Sequence, residues 1–406
     1  MTILRFRPLL GRLTALILAL ILLAGCSVQM GDDGRDAAMD TIATQGKLVD
    51  FAAGYDQTVG QVLGQVPAAW GEYDLYLVGE GHGSQTNYLL QLYLTRYFVE
   101  EQSVRYLLLE ESYSVGQLLN RYLETGAEAL LSEIFSGLQG TISCNQDNLE
   151  LYRSLYAYRQ SLPEEKRFQF VGIQLESPKP LTFRYLSLLL EEAAAGTDSG
   201  GWPAPLRQLK ETNRYNFNDR TLISTLKEEL ESREADYRDA LGEGFFPLSM
   251  VVQNLYHDTS DYSSQEKAIA ANFRLLYENL PEGKYFGQLG LIHAAKKKIQ
   301  LGGDSAPVID SFAQDINDNF APVQGRVLSL PILYNNCSYL DRTQKEKSLA
   351  TLGVESLKGE EPSAYFLQRE QCGQLFDYLL AMGMEEGDLG DGLFLISNSP
   401  AARPLS

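Results

Sequence analysis

A series of short apolar runs in this chain lacks the alternation of polar and apolar residues that a half-exposed strand shows. The longer segments between them repeat their apolar residues every three to four positions, as amphipathic helices do. Strands lose the alternation when helices cover both faces of their sheet, which is typical of parallel sheets. The sequence therefore predicts an α/β fold with a mostly parallel central sheet flanked by helices on both faces. The predicted strands are 73–79, 104–110, 168–173, 285–292, 326–334 and 392–397.

This rhythm changes between residues 178 and 260. Segment 181–196 has helical spacing, and the charged segment 221–244 is predicted to form one helix supported by opposite charges four residues apart. The stretch indicates a helical insertion within a single α/β domain that spans residues 46–406.

The N-terminus has the features of an export signal. Arginines precede an apolar run that is too short for an ordinary membrane span, and the run ends in the sequence LAGC at 23–26. This ending resembles the lipobox of bacterial lipoproteins, in which the cysteine is lipidated and becomes the new N-terminus. The resemblance implies a signal peptide over 1–25, a lipidated Cys26 and a tether over 26–45. The lipid bilayer is then a partner, and Ser27, which is not an aspartate, favours the outer membrane in a Gram-negative host.

The chain is strongly acidic. Its net charge of −19 becomes −22 when residues 1–25, with three arginines and no acid, are removed. Such a charge repels nucleic-acid phosphates, so we expect no nucleic-acid partner. Three further cysteines, Cys144, Cys337 and Cys372, allow at most one disulfide outside the cytoplasm. We expect Cys337 and Cys372, in the same C-terminal region, to form it.

Acidic residues and histidines follow the predicted strands where those strands end. Glu80 and His82 stand among three glycines after the first strand. Glu110 ends the second strand, and His293 follows the fourth. Because ligands of open parallel sheets bind beyond the carboxyl ends of the strands, we expect these side chains to share one site. A helix predicted to begin near Ser84 should add free N–H groups that suit an anion.

Three kinds of chemistry fit these residues. In the first, His82 is a general base that activates water, tuned by Glu80 or Glu110, with His293 as acid or oxyanion donor. In the second, the histidines and glutamates bind a divalent metal, although the chain has no HExxH or CxxC motif. In the third, the histidines ligate haem iron. His257, in a polar part of the insertion, is expected at the surface or on a lid.

Several short motifs between residues 73 and 402 resemble those of erythromycin esterase-like proteins. They are the sequence GEGHG at 79–83, a strand that ends in Glu110, the sequence NRY at 120–122, and a helix–strand unit over 266–293. The family usually has two residues between the glutamate and the histidine of its turn, and this chain has one. The shorter turn is similar to that of ChaN-like and TraB/TIKI-like relatives.

The resemblance implies an extracytoplasmic hydrolase that uses a Glu/His site to activate water against an ester or amide of a small molecule. By this resemblance, the catalytic residues would be His82, Glu80, Glu110 and His293. It implies, as an alternative, a lipoprotein that binds haem or a metal without catalysis. An interaction module on the same fold is a third interpretation.

The chain departs from the family pattern at a few positions. Gln174 stands where the family has an aspartate, and Gln265 with Glu266 replaces an Arg–Asp pair. A polar residue expected just before His293 is missing. The first two differences change the charge of the family's site and the third removes a polar group, so together they count against macrolide hydrolysis itself.

Overall fold

A computed structural model describes residues 32–49, 51, 54–55, 62, 68–195, 199–211, 220–256, 262–300, 308–349, 361–381 and 384–405. The predicted signal peptide, Cys26 and His257 lie outside the described residues. Within the described ranges, no helix is long and apolar enough to cross a membrane.

The centre of the molecule is an eight-stranded sheet with the order β1-β11-β12-β8-β2-β5-β3-β4. The strands from β12 to β4 run parallel, whereas β11 runs antiparallel to both of its neighbours, β1 and β12. Two short hairpins, β6–β7 and β9–β10, lie outside the sheet. The strands are β1 (Lys47–Val49), β2 (Leu75–Glu80), β3 (Val104–Ser112), β4 (Gln169–Gln174), β5 (Lys284–Gly290), β6 (Lys298–Ile299), β7 (Ile309–Asp310), β8 (Val327–Asn335), β9 (Cys337–Leu340), β10 (Glu346–Leu349), β11 (Ser363–Gln368) and β12 (Gly392–Ser397).

Helices cover the sheet, and every residue of β8 and of β12 is buried. Burial on both faces explains why these strands show no alternation in the sequence. The predicted fold class is confirmed. The helices are α1 (Asp32–Gln45), α2 (Gln85–Glu101), α3 (Tyr113–Thr125), α4 (Glu128–Gly137), α5 (Gln146–Ser161), α6 (Lys179–Ala195), α7 (Ala204–Glu211), α8 (Arg220–Ser232), α9 (Glu234–Leu241), α10 (Phe245–Asn254), α11 (Tyr262–Asn279), α12 (Leu291–Ala294), α13 (Phe312–Asn319) and α14 (Gly373–Ala381).

The stretch between β4 and α11 is helical, but the prediction of one helix over 221–244 is wrong. The chain breaks at Arg233, whose backbone angles (φ −128°, ψ 33°) are not helical, and α8 and α9 lie on either side. The break allows both short helices to bury apolar residues, Leu226 in α8 and Tyr237 in α9.

Residues 32–45 form the helix α1, so the assignment of this part of the chain to a tether is wrong. Ala38, Met39 and Ile42 are buried in a small hydrophobic cluster with Leu375 and Leu379 of α14. These apolar residues at spacings of three and four give the segment a reason to fold against the domain.

The predicted disulfide is also wrong. Cys337 and Cys372 are free and buried, and they belong to separate hydrophobic clusters. Cys144 is free and buried as well. Proximity in the sequence misleads here because β9 and the residue preceding α14 pack into different parts of the core.

Candidate functional site

The strand order brings the predicted site residues to one edge of the sheet. β5 lies between β2 and β3, and the carboxyl ends of these parallel strands meet. Glu80, the last residue of β2, pairs in register with Gly290, the last residue of β5. His82 follows in the turn to α2, and His293 lies in the short helix α12 directly after β5.

His82 is fixed by the carboxylate of Glu80. Its Nδ1 lies 2.8 Å from Glu80 Oε1. The other oxygen of Glu80 accepts a hydrogen bond of 2.5 Å from Gln288 Nε2, and the same nitrogen donates to the carbonyl oxygen of Asn87 at 3.0 Å. Gln288, buried in the middle of β5, thus holds the carboxylate that orients the imidazole.

Glu110 links the two histidines. Its Oε2 lies 3.5 Å from His82 Nε2 and accepts a 2.7 Å hydrogen bond from the backbone N–H of Gly290. Its Oε1 lies 3.2 Å from His293 Nε2. The side chain of His82 is 34% exposed and that of His293 only 4%. Glu80, His82, Glu110 and His293 therefore form a row that runs from the crevice into the core.

Glu266 of α11 completes the row. Its Oε1 forms an ion pair with His293 Nδ1, and its Oε2 accepts a 2.7 Å hydrogen bond from the backbone N–H of Phe312. The sequence motifs mark this position only as a departure from the family pattern. The structure shows that the carboxylate orients His293, which the Glu/His pattern of strand ends does not reveal.

The alternation of charges controls protonation in the row. Burial disfavours the imidazolium form of His82, but Glu110 and Glu80 outweigh it and raise the pKa of His82 well above 6.5. Burial is likewise outweighed at His293, where Glu110 and Glu266 raise the pKa to about 10. For Glu110, burial opposes ionisation, yet the two histidines hold its pKa well below 4.5. Both histidines therefore carry a proton on each ring nitrogen at neutral pH.

The turn that holds His82 is anchored by buried polar groups. The backbone N–H of Gly81 donates to the hydroxyl of Tyr334 at 3.0 Å, and Asn87 Nδ2 donates to the carbonyl oxygen of Gly81 at 2.8 Å. The hydroxyl of Tyr334 in turn donates to Asn87 Oδ1 at 2.9 Å. Fixing both sides of Gly81 in this way limits how far His82 can move.

The C-terminal tail, residues 398–405, crosses the same turn. Ser399 Oγ accepts a hydrogen bond from the backbone N–H of Thr86, and the carbonyl oxygen of Pro400 accepts one from that of Gln85, each at 3.0 Å. Ser84 is the N-cap residue of α2, but its side chain makes no capping bond and instead binds Ser399. The expectation that the first turn of α2 offers free N–H groups to an anion is wrong, because the tail already binds them.

Gly83 allows the tail and the β9–β10 hairpin to approach this turn. Its φ is +86°, and its carbonyl oxygen accepts from the N–H groups of Leu340 and Ala402. A Cβ at this position would lie 2.5 Å from the carbonyl oxygen of Leu340.

We expect Gly83→Ala to lower the free energy of unfolding by about 2 to 3 kcal/mol. Alanine would have to keep the strained backbone angle of this position, and the backbone at Leu340 would have to move away from its Cβ. Gly140→Ala is the control: its φ is +81°, but no atom lies within 4 Å of the added carbon. The control should cost about 1 kcal/mol in the same urea titration. Equal losses for the two variants would show that contact with Leu340 is unimportant.

The arrangement does not fit a metal ion or haem iron. Within the described part of the chain, no group of three or more His, Cys, Asp and Glu side chains could hold a metal ion. All four ring nitrogens of His82 and His293 face a carboxylate oxygen, so none of them is free to ligate a metal ion. We therefore assign no reaction step to a metal or cofactor.

Solved structures share this fold at low sequence identity. A protein of Bacillus cereus matches with a TM-score of 0.64 and 13% identity over 92% of this chain and 99% of its own. A succinoglycan biosynthesis protein matches at 0.60 and 14% over 93% and 100%. A mutant of erythromycin esterase EreC, in its open conformation, matches at 0.57 and 11% over 89% and 99%.

The chain has the fold of erythromycin esterase. The likeness to haem-binding ChaN of Campylobacter jejuni has a TM-score of 0.30, which is too low to indicate a shared fold. No protein-family model and no curated protein matches the chain. At these identities the similarities show the fold alone, so the function rests on the geometry of the site.

Proposed function

We propose that this protein hydrolyses an ester or amide of a small molecule and is held on the extracytoplasmic side of a membrane by lipidated Cys26. The row of alternating carboxylates and imidazoles at the carboxyl ends of β2, β5 and β3 carries the catalytic part of the proposal. The fold shared with erythromycin esterase supports it. The sequence LAGC at 23–26 supports the anchor.

The row supplies two of the three functions that hydrolysis requires. Hydrolysis needs a proton acceptor for the attacking water, positive charge near the carbonyl oxygen, and a proton donor for the leaving group. His82, protonated and partly exposed, is the donor. The imidazolium of His82 also supplies the positive charge at the exposed end of the row, and Glu110 keeps both rings in place. The acceptor is a carboxylate at the same edge of the sheet.

The test is a panel of p-nitrophenyl esters, alkyl esters and anilides, assayed with the full-length protein in detergent. His82→Asn is expected to lower kcat/KM about 10²- to 10⁴-fold on alkyl esters, as loss of an acid–base group does. A parent that hydrolyses nothing, and that develops a Soret band when haem is added, would instead favour the ligand-binding alternative. Incorporation of labelled palmitate by the parent, and none by Cys26→Ser, would test the anchor.

Glu80→Gln is expected to move the alkaline limb of the pH profile to lower pH. Glu80 contributes to the raised pKa of His82, so its removal lowers that pKa and the proton donor is lost at a lower pH. NMR of the ring nitrogens can follow this directly, since the chain has only three histidines. An unchanged pKa of His82 in the variant would mean that the contact with Glu80 has no electrostatic role.

A further inference from the structure

Two consecutive glutamates, Glu110 and Glu111, lie at the end of β3, where ordinary strand alternation would send them to opposite faces. A bulge changes this: Leu109 pairs with Gly172 of β4, but Ser112 pairs with Gln174, so β3 contains one extra residue. Bulges re-aim side chains next to active sites. Both glutamates are half-buried here, whereas the residues before and after them are buried.

Gly172 makes room for the bulge. A side chain at this position would collide with the carbonyl oxygen of Ser112 and with that of Glu111. The bulge therefore depends on the extra residue in β3 and on the glycine in β4. Because both strands contribute to it, we infer that the position of Glu111 is fixed by the fold.

The surroundings of Glu111 differ from those of Glu110. Its Oε1 accepts a 2.5 Å hydrogen bond from Ser143 Oγ, in the loop before α5. The ionisable groups that face it are Glu110, His82 of the β2–α2 turn, Tyr88 of α2 and Tyr152 of α5. Among the described residues, no lysine or arginine forms an ion pair with it.

These surroundings give the two carboxyl groups different basicity. Glu110 is a weak base because two imidazolium rings share its charge. Burial raises the pKa of Glu111 to about 7, the hydrogen bond from Ser143 limits the rise, and Glu110 adds to it. A group with a pKa near the working pH is the best suited to exchange a proton in a transition state.

We propose that Glu111, oriented by Ser143, is the general base of the site and that His82 is its general acid. This inference rests on the proposed hydrolase function and reassigns the base from the imidazole to a carboxylate that the strand-end motifs do not single out.

Glu111 and His82 act in turn in this mechanism. Water loses a proton to Glu111 as its oxygen bonds to the carbonyl carbon, and the carbonyl π electrons move to the carbonyl oxygen. When the carbon–oxygen double bond re-forms, the bond to the leaving oxygen or nitrogen breaks and that atom takes a proton from His82. Glu111 then returns a proton to His82 through solvent.

The kinetic test measures kcat/KM of the Glu111→Gln and His82→Asn variants on two classes of ester. A p-nitrophenyl ester has a leaving group that needs no proton, and an alkyl ester has one that does. Glu111→Gln is expected to lower kcat/KM about 10²- to 10⁴-fold on both, whereas His82→Asn should cost clearly more on the alkyl ester. Ser143→Ala should move the acidic limb of the profile to higher pH, because the hydrogen bond from Ser143 lowers the pKa of Glu111.

Glu176 provides the matched control. Burial raises its pKa to about 7 as well, but its oxygens accept from the backbone N–H of Ser114 at 3.1 Å and from Thr182 Oγ1 at 2.7 Å. It is therefore a buried structural acid, and Glu176→Gln should retain the parent kcat/KM and acidic limb.

The outcomes separate this inference from the proposed function. A parent that hydrolyses esters, with Glu111→Gln equally active and its acidic limb unmoved, would overturn the inference and leave the hydrolase intact. An infrared titration tests the protonation of Glu111 even if the parent has no activity. The protonated carboxyl band lost near pH 7 should be reduced in Glu111→Gln, and its full retention there would also overturn the inference.

Discussion

Glu110→Gln is expected to lower kcat/KM by about 10³-fold while the protein remains folded. Glutamine still offers an oxygen to the backbone N–H of Gly290, so the end of β5 keeps its anchor. The lost negative charge, however, is a main reason why both histidines stay protonated. Without it, the pKa of His82 and that of His293 fall together, and an amide N–H faces a ring N–H.

Ester hydrolysis and histidine NMR, recorded on the same sample, check this expectation. Glu101→Gln is the control, since Glu101 is an exposed residue at the end of α2. It should change neither the rate nor any histidine pKa. Full activity of Glu110→Gln, or a fall in the pKa of only one histidine, would contradict the bridging role of this carboxylate.

Glu266→Leu is expected to lower the free energy of unfolding by about 3 to 5 kcal/mol. Glu266 and His293 are both almost wholly buried. Without Glu266, the positive charge of His293 is balanced only by Glu110, which it shares with His82. The backbone N–H of Phe312 also loses its acceptor. The loss should shrink as the pH rises from about 6.5 to about 10, because over this range the parent itself loses the stabilisation that comes from protonated His293.

Urea titrations between pH 7 and pH 10.5 measure this loss, with Glu278→Leu as the control on the same helix. Glu278 is exposed, so its replacement should change the free energy of unfolding by less than about 0.5 kcal/mol. A loss at Glu266 no larger than the control, or one that grows with pH, would show that the pair with His293 does not stabilise the fold.

The central strands and four of the site residues follow from the sequence because each depends on local pattern. A strand covered on both faces leaves a continuous apolar run, and Glu80, Glu110 and His293 come directly at or after the ends of such runs. Parallel strands then bring those ends together whatever the intervening helices do.

Other members of the site depend on contacts between distant segments. Glu266 lies inside a helix whose rotation about its axis is set only by packing on the sheet, and Gln288 lies inside a strand. The position of Glu111 requires a bulge that the apolar pattern of β3 does not reveal. The tether and disulfide predictions fail for the same reason, since α1 and the two cysteines are placed by the tertiary core.

The passage of the tail over the turn has a consequence for the order of folding. Next to His82, Gly83 accepts from Ala402 and Gln85 donates to Pro400. Thr86 likewise donates to Ser399, which lies 313 positions further along the chain. Contacts between segments so far apart in sequence form late in folding, so we expect the turn that holds His82 to take its final shape only after most of the domain has folded.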